Sequence, residues 1–81
     1  MPAAIVVYGA NWCADCRRAK RLLEARGADY EWVDVEFQAG AAQEASRLAR
    51  GRKRIPVIIL PDGEVLVEPT DPELEAALSR S

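Results

Sequence analysis

Histidine is absent from the 81 residues, and cysteine occurs only twice, at Cys13 and Cys16. Without an imidazole there is no histidine acid–base catalysis and no histidine-ligated metal, and two thiols cannot close a four-cysteine zinc site within one chain. Nor can a pair enclosing two residues staple a small secreted scaffold, which needs more bridges at wider spacing. The longest apolar run, Ala3 to Tyr8, falls far short of the ~20 residues of a membrane span, and no charged leader precedes it. Eleven basic against thirteen acidic side chains leave a net charge of −2, so there is no excess positive charge to address nucleic acid or an anionic membrane. The expectation is a cytoplasmic protein without metal, nucleic acid or membrane as partner, whose chemistry is that of thiols.

What is present is the balance of a packed domain: 49% of residues are hydrophobic and 30% charged. The length is about half the ~150 residues of a typical domain, so one domain over residues 1–81 is expected. Ala3 to Tyr8 is a continuous β-prone run, the pattern of a central strand covered on both faces. Gly9-Ala10-Asn11-Trp12 interrupts it, and helix formers then run from Cys13 to Arg26, with Gly27 placed as a C-terminal cap. Tyr30 to Phe37 interleaves aromatic and β-branched residues with acids and reads as a second strand near an edge.

In the Ala-rich stretch from Gln38 to Arg50, residues Ala41, Ala45, Leu48 and Ala49 share one helical face, and Gly51 ends it. Ile55 to Leu60 and Val65 to Val67 flank Pro61-Asp62-Gly63-Glu64, whose Asp-Gly pair suits a tight hairpin turn. A last helix is capped by Asp71 with Pro72 at its first position, or by Thr70 with Glu73 as a capping box; Leu74, Ala77 and Leu78 lie on one face. The order β-α-β-α-β-β-α predicts an α/β three-layer sandwich, with two helices on one face of a four-stranded mixed sheet and one on the other. Crossover rules are read as making the first three strands parallel, the hairpin adding an antiparallel fourth.

The thiols sit where the first strand hands over to the first helix. A sulfur there faces the free N–H groups of the first turn and the positive end of the helix dipole, both of which favour thiolate over thiol, so Cys13 is expected to ionise first. At ~100° per residue, Cys16 falls on the stripe of Ala19 and Leu23 that must face the sheet, and Cys13 lies ~60° away toward Arg17 and Lys20. One sulfur is thus exposed and the other sheltered. Their three-residue spacing lets Cys16 attack a mixed disulfide formed on Cys13. Arg17 and Lys20 bring positive charge toward Cys13, and Asp15 opposes them.

Trp12-Cys13-Ala14-Asp15-Cys16, Arg54-Ile55-Pro56-Val57, Pro61-Asp62-Gly63 and Pro69-Thr70-Asp71, in this order on this arrangement of elements, resemble the glutaredoxin branch of the thioredoxin superfamily over nearly the whole chain. The likeness is greatest to the mycoredoxins and related short bacterial glutaredoxin-like proteins. It implies a thioredoxin-like fold and a thiol-disulfide oxidoreductase that reduces protein disulfides, or mixed disulfides with a low-molecular-weight thiol. By the same likeness Cys13 is the nucleophile, Cys16 the resolving thiol, and Pro56 the cis-proline whose preceding backbone, at Ile55, pairs with the bound thiol or peptide. The resemblance implies no tightly bound cofactor beyond an electron-donating thiol.

Typical glutaredoxins carry Pro-Tyr between the cysteines, Thr two residues before the cis-proline, and a Gly-rich turn leading to an acid before the last helix; Ala14-Asp15, Arg54 and Pro69-Thr70-Asp71 stand there instead. The Pro-Thr-Asp turn still offers a helix N-terminus and the Thr70 hydroxyl to a ligand carboxylate, and Asp71 to an ammonium, so mycothiol or bacillithiol is compatible beside glutathione. Two alternatives stand next to this reading. One is a redoxin that donates electrons to a ribonucleotide reductase and is recharged by thioredoxin reductase. The other is a non-enzymatic carrier in which Cys13 of two chains and two small thiols hold an iron–sulfur cluster. For the main reading a monomer is expected. Trp12 reads either as a packing residue or as a platform for substrates. Arg50, Arg52, Lys53 and Arg54 read either as solvated loop charge or as anion recognition beside the active site, with Arg54 the candidate.

Overall fold

Ile5–Gly9 forms β1, and the alternation of its side chains divides the interior in two. Ile5 and Val7 pack on one face with Ala19 and Leu23 of α1 (Ala14–Ala25) and with Leu74 and Ala77 of α3 (Asp71–Arg80). On the other face Tyr8 joins Val57, Val65 and Val67 against Ala45 and Ala49, on and just beyond α2 (Ala41–Leu48). Residues 5–80 are described in this computed structural model; Ala3 and Ala4, expected to begin the first strand, lie outside them. With β2 (Tyr30–Asp34), β3 (Val57–Ile59) and β4 (Val65–Val67), the sheet has the order β2-β1-β3-β4. This is the expected three-layer, thioredoxin-like sandwich with β1 inside the sheet and β2 at an edge.

The direction of β3 corrects the sequence reading. β1 and β2 are parallel, but β3 is antiparallel to β1, with Val6 opposite Ile59 and Tyr8 opposite Val57. A parallel crossover must carry the chain to the far end of the sheet before the next strand starts. Here α2 has only eight residues, a rise of about 12 Å. Arg50 and Gly51, with φ of 59° and 86°, turn the chain just beyond it. The chain therefore enters β3 beside the end of β1 that leads to the cysteines. The β3–β4 hairpin is antiparallel as expected, and Gly63 takes a φ of 91° in its turn.

Several boundaries move for local reasons. β2 stops at Asp34, whose carboxylate accepts the Glu36 N–H at 2.8 Å while its carbonyl accepts the Gln38 N–H at 3.0 Å. This Asx-type turn leaves Phe37 outside the strand and exposed. α2 begins after Gly40, at φ 79°, and not at Gln38. β3 begins at Val57 and not at Ile55, since Pro56 has no N–H to give a ladder. At α3 the capping-box register prevails over Asp71-Pro72: the Glu73 N–H donates to the Thr70 hydroxyl at 3.2 Å, and the Thr70 N–H donates to the Glu73 carboxylate at 2.8 Å.

Candidate active site

β1 delivers the chain to a turn in which the Cys13 N–H donates to the Ala10 carbonyl at 3.1 Å, placing Cys13 at the N-cap of α1. Its sulfur does what a Ser or Asp oxygen usually does there, accepting the Cys16 N–H at 3.3 Å. The sulfur therefore lies at the N-terminal end of α1, against a first-turn N–H. Across the cleft, Cys13 Sγ stands 4.0 Å from the Ile55 carbonyl oxygen, and the Ile55–Pro56 bond is cis. Cys13, Ile55 and Pro56, 42 residues apart along the chain at their closest contact, are thus brought together.

Cys16 lies one turn on and is fully buried, on the stripe with Ala19 and Leu23. Burial pushes its thiol up to about 12, and hydrogen bonding with Cys13 adds in the same direction. Both thiols are free. The roof of the Cys16 sulfur was not foreseen from the sequence. A Cβ on Gly9 would fall 2.7 Å from Cys16 Sγ and 2.7 Å from the Trp32 ring, so sulfur and indole close over a residue that has no side chain. Trp32 also packs against the α1–α3 core.

The neighbouring charges are arranged differently from expectation. Lys20 Nζ sits 4.2 Å from the centroid of the Trp32 ring, and Arg17 donates to the Asn11 carbonyl at 2.9 Å. Asp15 pairs with Arg18 at 3.1 Å, and Arg18 also reaches Asp71 at 2.5 Å. Arg18 was given no role from the sequence. Its i,i+3 spacing from Asp15 could have signalled one contact; the other spans 53 residues and has no local signal.

Thr70 and Asp71, expected to meet a ligand, are engaged within the fold, Thr70 in the capping box and Asp71 by Arg18. Arg54 pairs with Glu68 at 2.8 Å. Trp12, 65% exposed, is next to Cys13 in the chain and lines two open grooves. One, of about 490 Å³, contains Cys13, Asp15 and Glu68. The other, of about 670 Å³, runs to Val35, Ala42 and Ala45. Arg52, Lys53, Arg54 and Ile55 line both. Among the described residues no group of three or more Cys, Asp or Glu side chains could hold a metal ion, and no helix is long and apolar enough to cross a membrane.

Comparison with known proteins places this geometry in context. Residues 5–66 match the Glutaredoxin family. A Mycobacterium tuberculosis protein (strain ATCC 25618 / H37Rv) described as a glutaredoxin is 33% identical over 76 residues, covering 94% of this chain and 90% of its own. The glutaredoxin-like protein NrdH of Escherichia coli K12 is 41% identical over 58 residues, 72% of this chain and 69% of NrdH. The solved structure of the E. coli NrdH-redoxin superposes with a TM-score of 0.72 at 32% identity, over 89% of this chain and 91% of that one.

Proposed function

The chain belongs to the glutaredoxin family, and on that premise we propose that its Cys13–Cys16 pair reduces disulfides in protein partners by a two-cysteine route. The observation that carries this reading is the asymmetry of the sulfurs: one caps a helix at the open cleft, while the other is buried a turn behind it with its proton held to about 12. The Cys13 thiolate attacks one sulfur of the substrate disulfide, forming a mixed disulfide and releasing the other sulfur as a thiol. Cys16, on losing its proton, attacks Cys13 Sγ, releases the second substrate thiol and leaves a Cys13–Cys16 disulfide. Two cysteines, too few and too closely spaced for a structural disulfide framework, suit a reducing compartment such as the cytoplasm.

A donor must then reduce the Cys13–Cys16 disulfide. Recharging by a thioredoxin reductase is favoured over a small thiol such as glutathione, mycothiol or bacillithiol by one contact. Asp71, the carboxylate suited to a ligand ammonium, is taken by Arg18. The likeness to NrdH agrees, since the solved E. coli NrdH-redoxin is described by a thioredoxin-like activity profile. The test is disulfide reduction with each donor offered separately: thioredoxin reductase with NADPH, glutathione, mycothiol and bacillithiol. Reductase-driven turnover is expected to exceed that with each small thiol, and Cys13→Ser to abolish it. Cys16→Ser is expected to lower it at least a hundredfold. Full activity of the Cys13→Ser protein would overturn the assignment, and faster turnover with a small thiol would overturn the choice of donor.

A further inference from the structure

The loop from Arg50 to Arg54 carries four cations in a chain whose net charge is −2, and it borders both grooves beside Cys13. The carboxylates that line these grooves are already paired, Asp15 with Arg18 and Glu68 with Arg54. Arg52 and Lys53, by contrast, have no ion pair among the described residues. Of the charged side chains that line the two grooves, three are basic and two acidic, and Arg52 and Lys53 are the two that no ion pair engages. Beyond Trp12 the floor turns apolar, with Val35, Ala42 and Ala45. Trp12 is one of two large hydrophobic side chains exposed among the described residues.

We propose that Trp12, Arg52 and Lys53 form the docking surface for an acidic, extended segment of a disulfide-bearing protein. One of its apolar side chains sits between Trp12 and α2, and its carboxylates face the two cations. This rests on the thiol-disulfide reading above and names the class of substrate that such a site selects. Charge complementarity argues for an acidic partner, because unpaired rim charges speed encounter with the opposite sign and reject the same sign. The extent of the surface argues for a chain segment: the grooves share Trp12, Ile55 and the basic loop, so they form one track from Cys13 to α2.

The test mixes the reduced protein, freed of reductant, with synthetic cystine-looped peptides and follows peptide-thiol release in a single turnover. Each turnover converts one protein dithiol and one peptide disulfide into one protein disulfide and one peptide dithiol. An acidic peptide bearing leucine beside its disulfide is expected to react about tenfold faster than its lysine-flanked counterpart at low salt. That ratio is expected to fall toward one in 0.5 M NaCl, where screening acts within a few ångströms, and to invert in the Arg52→Glu/Lys53→Glu protein. Replacing the leucine with glycine is expected to slow the acidic peptide several-fold. Equal rates for the acidic and basic peptides, a ratio untouched by the double substitution, or no effect of the leucine would overturn the docking surface. Hydroxyethyl disulfide serves as the uncharged reference. If it oxidises Cys13 without any charge preference among the peptides, only the docking surface fails; if neither it nor the peptides oxidise Cys13, the thiol-disulfide reading fails first.

Discussion

At the scale of single residues, the site depends on one position with no side chain. Gly9 lets Cys16 Sγ and the Trp32 ring approach within 2.7 Å of where a Cβ would stand, which keeps the second sulfur out of water. Gly9→Ala would force sulfur, indole or both to move, an overpacking change that costs about 1–3 kcal/mol. The expected result is a melting temperature lowered by several degrees, at ~4–8 °C per kcal/mol for a domain of this size, with red-shifted tryptophan emission. An unchanged melting temperature would show that the contact yields freely. The roles of the two cysteines were legible because spacing and helical period alone put one on the buried stripe. The Gly9–Trp32 contact was not, since it depends on β1 and β2 pairing side by side, Gly9 opposite Asp34 and Val7 opposite Trp32. Nor could the sequence show that Lys20 would lie over an indole and not beside the sulfur.

At the scale of elements, α3 shows how a local signal can be read in two registers. Thr70-x-x-Glu73 and Asp71-Pro72 are both good helix starts, and the reciprocal hydrogen bonds between Thr70 and Glu73 select the first. The choice has a consequence for the site. With Thr70 as the cap, Asp71 enters the first turn of α3, where Arg18 of α1 reaches it and ties two helix starts together beside the cysteines. Thr70→Ala is expected to lower stability by about 1 kcal/mol in urea denaturation, with Thr70→Ser retaining most of it. Equal midpoints for all three proteins would contradict the capping box. β3 was misdirected at this same scale. The handedness rule applies once two strands are parallel, and does not by itself require that they be so. The turn at Arg50 and Gly51, which returns the chain toward the cysteine end, decided the matter.

At the scale of the whole molecule, β1 serves two cores at once, and its exit sets the first sulfur at a helix start while α1 carries the second beneath the surface. The layer order was readable from the alternation of apolar runs and helical faces. The pairings of Arg18 with Asp71 and of Arg54 with Glu68 were not, because residues far apart in sequence meet only once the layers close. The measurement that tests the account most directly is site-resolved alkylation of the reduced protein with iodoacetamide, followed by peptide mass spectrometry across a pH series. Cys13 should be labelled first and completely at neutral pH. Cys16 should stay unlabelled from pH 7 to pH 9, because its burial holds the proton to about 12. Labelling of Cys16 as fast as Cys13, or ahead of it, would contradict the division of labour between the two sulfurs.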